Sequence, residues 1–76
     1  MSDEELRYPK WQTPCVDAVM EFDTSRLPER IAAAETAMQA RLHELETALD
    51  GDHERQAIAD AMKALRNVRR ARLELP

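Results

Sequence analysis

The feature that most constrains this chain is a run of apolar residues at helical spacing between Leu27 and Leu49. Seven apolar side chains recur there three or four positions apart: Leu27, Ile31, Ala34, Met38, Leu42, Leu45 and Leu49. At about 100° per residue they occupy a sector of roughly 80° on one helix face. So narrow a seam predicts a helix over residues 26–49 that packs against another helix.

A second apolar seam follows the only glycine of the chain, Gly51. We expect Gly51 to end the first long helix in a left-handed conformation, and Asp50 or Asp52 to cap the next helix. The spacing of the apolar residues after the glycine predicts a helix over 52–73. The residues on its seam are Ile58, Ala61, Met62, Leu65 and Val68. Because the connection is short, the two helices are expected to be antiparallel neighbours.

The segment before these helices opens with the letters YPKWQTP, which hold two of the three aromatic residues. Its prolines predict an extended lead-in over residues 8–13, after an acidic tail over 1–7 that we expect to be flexible. Thr13 and Pro14 resemble the start of a helix, so a short helix is predicted over 14–23. We expect that helix to turn its larger apolar side chains toward a core. These are Val16, Val19, Met20 and Phe22.

A chain of 76 residues forms one small domain, and small domains bury only a modest share of their surface. Its single cysteine cannot make an intrachain disulfide. Residues 8–76 are therefore predicted to form one all-α domain, a short helix followed by a long antiparallel helical hairpin, which pairs with a second copy into a four-helix bundle. Tyr8 and Trp11 would clamp the hairpin, either within their own chain or across the interface between copies.

This architecture predicts a non-enzymatic protein–protein interaction or assembly module whose main partner is a second copy of the chain, with an unidentified protein as a further possible partner. The interaction seam is predicted to comprise Ile31, Met38, Leu42, Leu45, Leu49, Ile58, Met62 and Leu65.

Patterns for catalysis, metals and cofactors are missing from the sequence. It has no glycine-rich phosphate loop, paired Cys or His ligand set or nucleophile-elbow spacing, so we expect no enzyme, no metal and no cofactor. Asp50 does not open a calcium loop, because the twelfth position is Ala61. His43, His53 and the carboxylates of the turn are interpreted as solvated capping residues; these carboxylates are Asp50, Asp52 and Glu54. Cys15 is interpreted as a small buried hydrophobe, with a redox or intermolecular disulfide role as the alternative.

The net charge of −4 argues against a general attraction to nucleic acid or anionic lipid. No apolar run is long enough to span a bilayer, and the acidic start does not resemble an export signal, so a cytoplasmic location is expected.

A cluster of cations near the end of the last helix supports an alternative function, nucleic-acid binding. The residues of this alternative face are Lys63, Arg66, Arg69 and Arg70. No aromatic residue lies among them, however, and the rest of the chain is acidic. In an antiparallel hairpin, Glu35 would also lie within reach of Arg69 or Arg72. Some of these cations are therefore expected to form ion pairs within the chain instead of binding phosphate.

The order of these segments resembles a group of short, uncharacterised bacterial proteins, common in acidobacteria. The residues that carry the resemblance are the YPKWQTP opening, the acidic "EFD" segment, and the "LPERIAAAETAMQARLHEL" and "ERQAIADAMKALRNVRR" helices. The Y-P-x-W-Q-x-P opening is the most distinctive part. The resemblance implies a self-contained small helical protein and transfers no catalytic or binding residue.

Overall fold

The computed structural model describes residues 7–74, and they form three α-helices. The helices are α1 (Pro9–Met20), α2 (Leu27–Leu45) and α3 (Asp52–Arg69), and a π-helical stretch follows at Arg70–Glu74. No strand occurs within residues 7–74, so the all-α prediction is confirmed. The tail predicted over 1–7 lies, apart from Arg7, outside the described residues. No helix of the described part combines the length and the apolar character needed to cross a bilayer.

The first helix begins at Pro9, so the prediction of an extended lead-in over 8–13 and of a helix starting at Pro14 is wrong. Proline is well tolerated at the first helical position, and the Gln12 side chain accepts the backbone N–H of Tyr8 at 2.7 Å. Pro14 lies inside the helix, where its missing N–H removes one backbone bond. Trp11 is only 2% exposed, and we attribute the early helix start to the burial of this large side chain.

The turn between α2 and α3 differs from the sequence prediction in both length and conformation. The helix predicted to reach Leu49 ends at Leu45. The backbone carbonyl of Leu45 accepts a hydrogen bond from the Arg55 guanidinium at 3.0 Å. Gly51 has φ −92°, outside the left-handed region. A Cβ atom at Gly51 would lie 3.0 Å from a methyl group of Leu45, so glycine serves close packing here. The predicted aspartate cap is also wrong, because α3 has no side-chain cap.

The core lies where the three helices meet, and both long helices contribute their predicted seams to it. The buried apolar residues are Trp11, Ala18, Leu27, Ile31, Ala34, Met38, Leu45, Ile58 and Leu65. Two polar contacts link α2 to α3: Arg41, late in α2, contacts Glu54 in the first turn of α3, and Glu35, midway along α2, contacts Arg69 at the end of α3 at 3.6 Å. The expected pairing of Glu35 with Arg69 is confirmed.

The first helix packs on α2 and α3 through the side that carries Trp11, Cys15 and Ala18. The apolar residues expected to face the core from this helix lie instead on its other side. Val16 and Val19 are about half exposed, and Met20 is 61% exposed. That expectation is wrong because the earlier helix start lets Trp11 and Ala18, seven positions apart, form the buried stripe.

Candidate functional site

A buried polar cluster joins one residue from each helix. The indole N–H of Trp11 donates to Glu54 Oε2 at 3.1 Å. Arg41 donates from Nε to the same oxygen at 2.8 Å and from Nη2 to Oε1 at 3.0 Å. The Glu54 residue is 8% exposed. Three donors therefore neutralise and satisfy both oxygens of a carboxylate that would otherwise be costly to bury.

These contacts shift the pKa values of the two carboxylates that Arg41 binds, Glu54 and Glu44. The hydrogen bonds from Arg41 hold the pKa of Glu54 below its ordinary value, the Trp11 bond adds to this effect, and burial opposes it. On the solvent side, Arg41 Nη1 donates to Glu44 at 2.8 Å, and this bond, together with the charge of Lys10, lowers the pKa of Glu44. Arg41 therefore stays charged and is shared between a buried and an exposed carboxylate.

The sequence analysis placed Glu54 in a solvated acidic turn and assigned no role to Arg41. A signal was present, because Glu54 precedes Ile58 by four residues and Arg41 follows Met38 by three, which places both charges on the apolar seams. Opposite charges on facing seams of two antiparallel helices are expected to pair. Tyr8 and Trp11, the predicted aromatic clamp, are stacked with ring centroids 5.7 Å apart, and Trp11 is buried in the core of its own chain.

The predicted interaction seam lies mostly inside this core. Five of its eight residues are buried, and Leu42 and Met62 are half-buried against them. Leu49 is the exception: it is fully exposed in the turn after α2. The buried seam residues are therefore inaccessible to a second copy of the folded chain. The five are Ile31, Met38, Leu45, Ile58 and Leu65.

Apart from Leu49, the large apolar side chains that are exposed within residues 7–74 lie on α1 or just after it. Val16, Val19 and Met20 are 45%, 49% and 61% exposed and fall within a sector of roughly 100° on the helix. Phe22, two residues past the end of α1, is 84% exposed. We call these four residues the α1 patch. Clustered large apolar side chains at a protein surface mark interaction sites more often than scattered ones do.

Cys15 is half-buried beside Met38, with its thiol 3.7 Å from the Met38 sulfur. It lies in the middle of α1, away from the positive end of the helix dipole. Burial raises the pKa of the Cys15 thiol, which disfavours the reactive thiolate.

The four predicted cations of α3 lie at its later turns, and three of them are exposed. Arg66, Arg69 and Arg70 line a surface groove of about 380 Å³ together with Asn67 and Glu74. Arg69 is half-buried and pairs with Glu35, whereas Lys63 does not line the groove. Within residues 7–74, no ion pair engages Arg66 or Arg70.

The two histidines are exposed, and His43 lies 3.6 Å from Glu46. Over the part of the chain that the structure describes, no three His, Cys, Asp or Glu side chains converge on a site that could hold a metal.

Comparison of the chain with protein-family models, with curated proteins and with solved structures finds no match. The resemblance to short bacterial helical proteins therefore stays a prediction.

Proposed function

We propose that this protein is a non-enzymatic interaction module that associates with a second copy of itself through the α1 patch. The exposure of Val16, Val19, Met20 and Phe22 carries this proposal. Folding within one chain leaves these side chains in water, although the opposite side of the same helix is fully used in the core. Contact with another apolar surface would remove them from water, which is the main driving force of association.

A second copy suits the patch because a two-fold interface brings the same surface together from both chains. Helix α1 has 12 residues and is therefore about 18 Å long. Four exposed side chains on or beside so short a helix form a small surface, whereas stable interfaces use about 800 Å² per partner. We therefore expect a weak, concentration-dependent dimer in which residues flanking α1 add to the contact.

This proposal revises the four-helix bundle expected from the sequence. Five of the eight seam residues are buried within one chain, so the proposal places the interface on α1 rather than on the seams of the long helices. Pairing through α1 would instead give a layered four-helix arrangement, with α1 and its neighbour α2 from each copy. A cytoplasmic location remains part of the proposal, supported by the lone free thiol Cys15.

The test is a measurement of molar mass across a concentration series, with the variant Val16→Glu/Met20→Glu. Two carboxylates in the patch are expected to weaken dimerisation by roughly tenfold or more, because each would be desolvated without a partner. Ala64→Glu/Ala59→Glu places the same two charges on exposed positions of α3 and serves as the control. A wild-type protein that remains a monomer at high concentration, or a patch variant that dimerises as well as the control, would refute the proposal.

Nucleic-acid binding through α3 is the second candidate, favoured by the groove beside Arg66 and Arg70. The dependence of binding on salt concentration distinguishes self-association from nucleic-acid binding. Screening reduces repulsion between copies that each carry −4, so dimerisation should strengthen with salt. Binding to nucleic acid should weaken steeply with salt and be lost in Arg66→Ala/Arg70→Ala.

A further inference from the structure

A cavity of about 230 Å³ opens beside the buried polar cluster, at the amino end of α1. All three helices contribute to it. Its lining residues are Arg7, Tyr8, Pro9, Lys10, Arg41 and Glu54. We propose that this cavity, which we call the Arg41 cavity, binds a single phosphate group, either free or on a small phosphate ester.

The first argument is the unused donor capacity of Arg41. A guanidinium carries five N–H donors in a rigid fork. Two of them bond Glu54 and one bonds Glu44, so two have no partner among residues 7–74. Arg41 is half-buried and lines the cavity, so a group bound there would lie next to its guanidinium. A planar fork of this kind suits the oxygens of a phosphate group.

The second argument is charge. Glu54 is matched by Arg41, while Arg7 and Lys10 add two exposed cations at the rim. Glu44 is the other carboxylate nearby, and it lies close enough to Lys10 for that charge to lower its pKa. Among residues 7–74, these three cations against two carboxylates leave a local excess of one positive charge, in a chain whose net charge is −4. An anion in the cavity would balance this excess.

The third argument is size. A volume of about 230 Å³ corresponds to roughly seven or eight waters at ~30 Å³ each, and it is smaller than the ~300–1,000 Å³ of drug-sized ligand sites. The cavity therefore suits a phosphate group or a small phosphate ester. Tyr8 and Pro9 add an apolar wall that could contact the carbon of a small ester.

The single tryptophan of the chain makes the test direct, because the Trp11 indole N–H bonds Glu54 in the cavity wall. The experiment records the indole and backbone amide NMR signals while inorganic phosphate, glycerol phosphate or acetate is added at constant ionic strength. We expect saturable shifts at Trp11 and Lys10 with both phosphates and weaker binding of acetate. Tighter binding of glycerol phosphate would identify a small ester as the ligand, and equal binding would identify free phosphate.

Lys10→Gln should weaken phosphate binding by roughly tenfold, because it removes one charge-assisted contact from the rim. Lys63→Gln makes the same charge change at an exposed position of α3 and should alter binding less than twofold, about the limit of such measurements. Both lysines are exposed, so both variants should keep the wild-type fold, which the unliganded spectra will check. Shifts that do not saturate, that chloride reproduces, or that are equally affected by both substitutions would overturn the proposal.

Discussion

Replacing Glu54 with Gln is expected to destabilise the protein by about 2–3 kcal/mol. Three donors converge on the two carboxylate oxygens, two from Arg41 and one from Trp11. A glutamine of the same size keeps only one oxygen. In its better orientation that oxygen still accepts the Trp11 bond and one Arg41 bond. The amide NH₂ then faces the second guanidinium donor, and the charge of Arg41 loses its buried partner.

The magnitude follows from the exposure of the pair. Breaking a fully buried ion pair costs about 3–5 kcal/mol, and losing a hydrogen bond to a charged group costs about 1.5–3 kcal/mol. The Arg41 side chain is 30% exposed, so water partly solvates it and the lower range applies. A chain of 76 residues has a total stability of roughly 4–11 kcal/mol. A loss of about 2–3 kcal/mol should lower the midpoint of thermal unfolding by roughly 8–24 °C.

Urea unfolding, followed by circular dichroism and by Trp11 fluorescence, measures the difference. Glu44→Gln is the matched control, because Glu44 binds the same guanidinium but its side chain is 52% exposed. It should cost clearly less than Glu54→Gln, because water screens the exposed pair. Both variants are compared in dilute solution, where self-association adds nothing to stability. If Glu54→Gln costs no more than Glu44→Gln, burial does not decide the strength of these contacts and the reasoning fails.

Three further outcomes are expected. The pKa of Glu54 is lowered in the folded state, so its ionised carboxylate adds fully to the free energy of unfolding above its unfolded pKa of about 4.3. This contribution is lost as the pH falls below that value. When the free energy of unfolding is measured against pH, Glu54→Gln should therefore lose less stability in acid than the wild type does. Gly51→Ala should cost about 1–3 kcal/mol in urea unfolding, since the new methyl group would crowd Leu45, and an unchanged midpoint would contradict this. Cys15 should react with a thiol reagent roughly tenfold more slowly in the folded protein than in urea, because burial raises its pKa, and equal rates would show that the thiol is free.

The α1 patch illustrates where reading the sequence falls short. Val16, Val19 and Met20 have the spacing of a core face, and so do Trp11, Cys15 and Ala18 on the other side of the same helix. The periodicity of the sequence identifies both apolar stripes but does not show which of them is buried. The choice depends on which stripe the other two helices can accommodate, and the large indole with its carboxylate partner supplied the better fit.

The sequence by itself determined the two long helices, their antiparallel order and most of their buried residues. Ile31, Met38, Ile58 and Leu65 repeat at helical spacing, and a short turn around Gly51 leaves the helices few other ways to pack. The Glu35–Arg69 contact follows from the same order. These features depend on the spacing of the apolar residues and on the length of the loop, and both can be read directly from the sequence.

Only the tertiary structure decided where α1 begins, which of its sides is buried, and what Glu54 and Arg41 do. Each depends on contacts between residues far apart in sequence, such as the 43 positions that separate Trp11 from Glu54. Local rules predicted an extended segment where a proline-containing helix formed, and a solvated acidic turn where a buried carboxylate lies. The burial of one large aromatic side chain and the satisfaction of one buried charge outweighed those local preferences.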